Sequence, residues 1–193
     1  MKWIIVAILV TIIPYTWITL AFRKPNPAHE PYQDNKDRAQ VLRLLDHGFA
    51  RIDLAVDRLI DPPVPPAESA HAEAIEGGLP PLLSDLLIDK PPVPTDFPFV
   101  AAPVSTLSGA PYTLFAACTQ PDLDEHVSKS QLYQRNQELV IIIGYQQNPE
   151  GLQSRRREVT TRITIPPNTL EPGEYRATLI GARESRRWTF EVY

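Results

Sequence analysis

Cysteine, methionine and glycine are scarce in these 193 residues: one Cys, one Met and eight Gly. A lone cysteine, Cys118, closes no internal disulfide and forms no paired Cys-x-x-Cys site. The few glycines include neither a Gly-x-Ser-x-Gly elbow nor a phosphate-binding loop. An excess of positive charge is missing too. Lys+Arg number 19 against 23 Asp+Glu, for a formal net charge of -4, which gives no basic footprint for nucleic acid. Nor does any segment recur at a fixed period, so repeat architectures are excluded. These absences argue against an enzyme, and the expectation is no catalytic, cofactor-binding or metal residue.

Proline is abundant, with 21 residues, and one apolar run stands out. Trp3 to Phe22 is 20 residues without a charge, closed by Arg23 and Lys24. At about 1.5 Å per residue a helix of that length matches the roughly 30 Å hydrocarbon core of a bilayer. Residues 3–22 are therefore expected to form a retained transmembrane helix, with Pro14 tolerated inside it. The alternative is a cleaved signal peptide with a small-residue site at Thr19-Leu20-Ala21. Arg23, Lys24, Lys36 and Arg38 after the span favour a cytoplasmic C-terminal part, yet long hydrophilic domains translocate regardless of such charge. The expected location is the cell membrane, single-pass, with the C-terminal domain extracytoplasmic and the lipid bilayer as one partner.

After the span, Pro25, Pro27 and Pro31 stiffen residues 23–33 into a stalk. Residues 34–60 are expected to be an amphipathic helical segment: Leu42, Leu45, Phe49, Ile52, Val56 and Leu59 recur every three or four positions. A competing pattern makes Phe49 to Asp57 a strand, because Ile52, Leu54 and Val56 alternate with charged residues. Twelve of the prolines fall between Asp61 and Pro111, which marks residues 61–96 as a proline-rich connector. Within it, Pro80 to Ile88 has the leucine spacing of a short helix.

Residues 97–193 read as mainly β. Phe97–Ser105, Tyr112–Thr119, Gln131–Arg135, Glu138–Tyr145, Val159–Ile165, Glu174–Leu179 and Arg187–Val192 alternate apolar and polar residues or, at Glu138–Tyr145, are apolar on both faces. That spacing suits a β-sandwich. Leu170, Pro172, Gly173 and Tyr175 sit where one strand turns into the next, and the step resembles the tyrosine corner of immunoglobulin-like and fibronectin type III sandwiches. The resemblance implies an immunoglobulin-like β-sandwich in which Tyr175 and Trp188 are core residues.

Candidate sites are few. His29, His47, His71 and His126 lack the spacing of a helix-borne zinc pair. Asp122, Asp124, Glu125 and His126 would hold a cation only if a turn converged their oxygens, and the loop has no glycine of the kind a calcium loop uses. Cys118 fits a small buried apolar residue better than a nucleophile. Arg155, Arg156 and Arg157 lie between two strands, as in a hairpin loop.

The order of parts resembles the FixH/CcoH accessory proteins. The features are one span, a Pro-containing stretch from Arg23-Lys24-Pro25 to Pro31-Tyr32, a polar helical segment, and the Gly48-Phe49 step into Ile52-x-Leu54-x-Val56. A terminal domain with Gly173-x-Tyr175 and Trp188-Thr-Phe190 completes it. The resemblance implies a strand at Phe49–Asp57, and a membrane-bound protein that assists assembly or stability of a respiratory cbb-type cytochrome oxidase, whose subunits would be its partners. The proline-rich insert from Asp61 to Pro111 is longer than that pattern requires, and Tyr32 stands where a tyrosine pair is expected. A cell-envelope structural or adhesive binding module, with an exposed aromatic patch, is the alternative function.

Overall fold

The computed structural model describes residues 2–21, 31–60, 68–149 and 152–193, without the side chains of 4–9, 20–21 and 31–34. The chain divides into two units, residues 1–37 and 38–193.

The first unit contains helix α1, Lys2–Ala21, with Pro14 inside it. Ile12, Ile13, Tyr15, Trp17 and Ile18 are all exposed. At 100° per residue these positions point to every side of the helix, so α1 has no polar stripe to turn towards water. Thr19 Oγ1 reaches the carbonyls of Tyr15 and Thr16, each at 2.9 Å, which covers the hydroxyl within the helix itself. Among the described residues no helix is long and apolar enough to cross a membrane, so the fold leaves the expected span at residues 3–22 without support. Most of the expected stalk, residues 23–30, lies outside the described residues.

Helix α2 covers Pro31–Asp46 and ends at a glycine. Gly48 has φ +76°, its N–H donates to Leu45 O and the Phe49 N–H donates to Leu44 O, both at 2.9 Å. This left-handed stop favours a residue without a Cβ. Strand β1, Ala50–Leu59, follows. The expected amphipathic helix over 34–60 is thus corrected: its second half is a strand, and Ile52, Leu54 and Val56 share a face because side chains alternate. The helical half is also turned differently. Leu44 is 1% exposed and Leu42 and Leu45 are 62% and 58% exposed, so the leucines that set the apparent period are not those that pack.

The remaining elements are β2 (Glu73–Glu76), α3 (Pro81–Leu86), β3 (Phe99–Ala101), β4 (Ser105–Thr106), β5 (Tyr112–Thr119), β6 (Glu125–Arg135), β7 (Glu138–Gln147), β8 (Glu158–Ile165), β9 (Gly173–Leu179) and β10 (Glu184–Val192). The molecule is mainly β, as expected, and its strands form one curled sheet in the order β2-β10-β9-β7-β6-β1-β8-β5-β3, with β4 beside β10. The sheet turns at β1. Ala50 to Leu54 pair with β6, and Ala55 to Leu59 pair with β8, so one strand belongs to both halves. Two pairings, β7 with β9 and β4 with β10, are parallel, whereas an immunoglobulin sandwich is built from antiparallel sheets.

One core lies between the halves and includes Leu54, Leu114, Leu132, Ile141, Ile163 and Trp188. A second lies outside β6 and β7, where Leu44 of α2 and Leu83, Leu86 and Leu87 of the α3 segment cover Tyr133, Val140 and Ile142. Strand β7 is therefore apolar on both faces because Ile141 and Ile143 serve one core and Val140 and Ile142 the other. The proline-rich segment is part of this domain. Leu83 and Phe97 are fully buried, and Arg183 N donates to Thr95 O. Residues 68–96 thus form domain structure in place of the expected connector, and the domain reaches back to α2, not to residue 97. Residues 61–67 are outside the described set.

Candidate functional site

The start of β1, the β6–β7 turn and the corner before β9 meet at one end of the domain, since Ala50 pairs with Gln134 and Arg176 N donates to Gln137 O at 2.9 Å. The turn is Asn136-Gln137, with Asn136 at φ +53°, a conformation asparagine tolerates better than most residues. Tyr175 is buried, and its hydroxyl accepts the Glu171 N–H at 3.1 Å. The corner is thereby closed by a side chain four residues along.

An open groove of about 470 Å³ runs beside the turn, between Arg135, Gln137, Glu138, Glu174, Arg176 and Thr189. A second, of about 650 Å³, lies on the other side, lined by Gly48, Ala50, Gln134, Asn136 and Glu171. The Arg135 guanidinium stands 5.4 Å from the Phe49 ring centroid, which restrains it by a cation–π contact. Arg176 Nη1 lies 3.9 Å from Glu138 Oε1, both side chains largely exposed. Pockets for small molecules are mostly apolar with a few convergent polar groups. This groove is the reverse: shallow, with both signs of charge and free amide side chains, it suits a polar stretch of another polypeptide.

The opposite end has a polar interior. The Tyr145 hydroxyl donates to Cys118 Sγ at 3.4 Å, and the Cys118 thiol donates to Val159 O at 3.3 Å. Burial raises the pKa of both groups above its ordinary value, so Cys118 is a neutral thiol bridging the two halves of the sheet, unsuited to nucleophilic attack. Gln120 is buried with neither amide atom bonded to protein. Glu125 is half-buried with Oε2 enclosed, and burial, reinforced by Asp124 and Asp122, raises its pKa.

The acidic turn does not converge. The Leu123 N–H donates to Asp122 Oδ1 at 2.8 Å and the Asn148 N–H to Asp124 O at 2.6 Å, and Glu125 and His126, adjacent on β6, point to opposite faces. His47 is exposed with Nδ1 at 2.9 Å from Arg43 O, His71 is exposed in the loop before β2, and His29 lies outside the described residues. Among the described residues no three His, Cys, Asp or Glu side chains stand where they could hold a metal ion. Arg155, Arg156 and Arg157 are exposed, but β7 and β8 do not pair. Their loop crosses between the two halves of the sheet, which corrects the expected hairpin. The groove residues Arg135, Asn136 and Gln137 escaped notice in the sequence, where only the polar Arg-Asn-Gln-Glu step between two strand patterns marks them. A scan of family models, a search of curated proteins and a search of solved structures each find no match to this chain.

Proposed function

We propose that the chain is a single-pass membrane-anchored protein whose extracytoplasmic β domain binds another membrane protein, with no chemistry of its own. The observation that carries the reading lies in the sequence, in which Trp3 to Phe22 contains no charge, and the exposed Val10, Ile12, Ile13, Tyr15, Trp17 and Ile18 of α1 are compatible with it. The mixed-charge groove at the Asn136-Gln137 turn supports protein contact. A kinship with immunoglobulin-like domains has support in the Tyr175 corner.

Subunits of a respiratory cytochrome oxidase are the partners to test first. The resemblance to FixH/CcoH proteins implied a strand at Phe49–Asp57, and β1 occupies Ala50–Leu59, which supports the resemblance over the rival helical pattern. The envelope-adhesion alternative expects an exposed aromatic patch; among the described residues of 38–193 the exposed aromatic side chains are Phe99 and Tyr193. Affinity purification of the full chain from detergent extracts tests the proposal: oxidase subunits should accompany it, and a solitary protein would count against it.

A further inference from the structure

The groove beside the Asn136-Gln137 turn continues past Thr189. A second hollow of about 450 Å³, lined by Ala70, His71, Val104 and Glu191, shares Glu174 and Thr189 with it, so the two make one trough across β9 and β10. Unneutralised charge of opposite sign marks its ends. Glu191 lies directly opposite Glu174, and both are exposed. Because the Glu191 N–H turns away from β9 to Val104 O at 3.0 Å, the two form the non-hydrogen-bonded kind of pair, in which side chains stand closest. Like charges in that position destabilise a sheet. Among the described residues no Lys or Arg pairs with either carboxylate, although the Tyr193 hydroxyl donates to Glu191 Oε2 at 2.8 Å. At the other end Arg135 has the Phe49 ring and, among the described residues, no carboxylate partner.

The backbone is also incomplete here. Arg187 pairs with Glu73 of β2, and the Glu191 N–H is taken by Val104 O. Alternation turns the N–H and C=O of Thr189, midway between them, to the same side. The chain leading into β2 has left β10 at this level, since the Ala70 N–H donates to Ala102 O at 2.7 Å beside β3. Among the described residues no backbone group completes the rung at Thr189. Resting on the reading that the groove binds protein, we infer that the trough takes an extended segment of the partner polypeptide. One of its residues sits on the open Thr189 rung, a Lys or Arg side chain lies between Glu174 and Glu191, and an acidic residue points towards Arg135. Charge complementarity selects this occupant. A basic side chain converts the opposed carboxylates from repulsion to charge-assisted hydrogen bonds, and a segment of one sign would be repelled at one end of the trough. Extended backbone supplies the donor and acceptor that a strand edge leaves open.

Photo-crosslinking of the full chain in cells that make it tests this, with p-benzoylphenylalanine in place of Gln137, which lines the first hollow, or of His71, which lines the second; both positions are exposed. The account expects the two positions to join the same partner protein, and the peptide joined at 71 to carry a Lys or Arg beside its attachment point. Glu174→Gln with Glu191→Gln should cut the yield at 71 by about tenfold or more, while thermal unfolding shows the doubly substituted chain no less stable. Crosslinking at 137 alone, a joined peptide without a basic residue, or a yield at 71 that the double substitution leaves unchanged would overturn the inference and leave the groove reading standing. No crosslink from either position would remove both. A crosslink at 71 to a second copy of the chain would assign the trough to self-association and overturn the partner assignment.

Discussion

The Glu171 backbone N–H donates to the Tyr175 hydroxyl at 3.1 Å, so one buried ring both fills the core and holds the turn that leads into β9. Tyr175 also stacks on Phe190 with centroids 5.6 Å apart, and Phe190 stacks on Tyr112 at 4.1 Å. The corner is thus tied to the aromatic column that joins β5 to β10, and the groove wall at Glu174 and Arg176 is fixed by the same contacts.

Tyr175→Phe keeps the ring and removes the bond. It should cost about 1 kcal/mol in urea unfolding without changing the m-value, whereas Tyr175→Ala, which also empties core volume, should cost about 3–5 kcal/mol. Equal losses for the two variants would show that the hydroxyl has no separate part.

Tyr112 is the more demanding position. Its hydroxyl donates to Pro103 O at 2.9 Å and accepts from Trp188 Nε1 at 3.0 Å, and the group is buried. Tyr112→Phe orphans a donor and an acceptor together, so a loss of about 1–3 kcal/mol is expected, above that of Tyr175→Phe. Indole fluorescence should shift as the Trp188 N–H loses its partner.

Gly48 decides where helix gives way to strand. Gly48→Ala meets no steric obstacle within 4 Å, so its cost is confined to the φ of +76°, about 1–2 kcal/mol. Thermal unfolding measures it, and an unchanged midpoint would remove Gly48 from this role.

Glu125 gives the domain a pH signature. Its pKa is raised on folding, chiefly by burial, with Asp124 and Asp122 adding to it. A raised pKa means the folded state binds the proton more tightly, so this contribution is present in full below the unfolded value of about 4.3 and is lost as pH rises through the folded value. Glu125→Gln should therefore remove a destabilisation that wild type shows at pH 7 relative to pH 4. The difference between wild type and variant in chemical denaturation isolates this group from the other carboxylates. A pH-independent difference would contradict the assignment.

Much of the β domain was legible because alternation is local. Strand β5 falls at Tyr112–Thr119, as the sequence expects, and β7 was readable as central from its run of Leu, Val and Ile. Residues 42–59 misled because Leu42, Leu45, Phe49 and Ile52 satisfy a helical period that Gly48 interrupts, and period alone does not register a left-handed stop. Strand β2, Glu-Ala-Ile-Glu, was hidden by brevity and polarity, which suit an edge. The parallel partnership of β7 and β9 and the sharing of β1 between halves depend on distant pairing, to which no short pattern points. The groove draws on segments near residues 48, 136 and 174, and no one of them carries a chemical motif.

Purification of the full chain from detergent-solubilised membranes, after a high-salt wash, tests the central claim most directly. The account predicts that the chain stays in the membrane fraction and leaves it with a stoichiometric integral membrane protein, and that charge reversal at Arg135 and Arg176 loses that partner while the domain stays folded. Recovery in the salt-washed soluble fraction, or alone from the detergent extract, would contradict it.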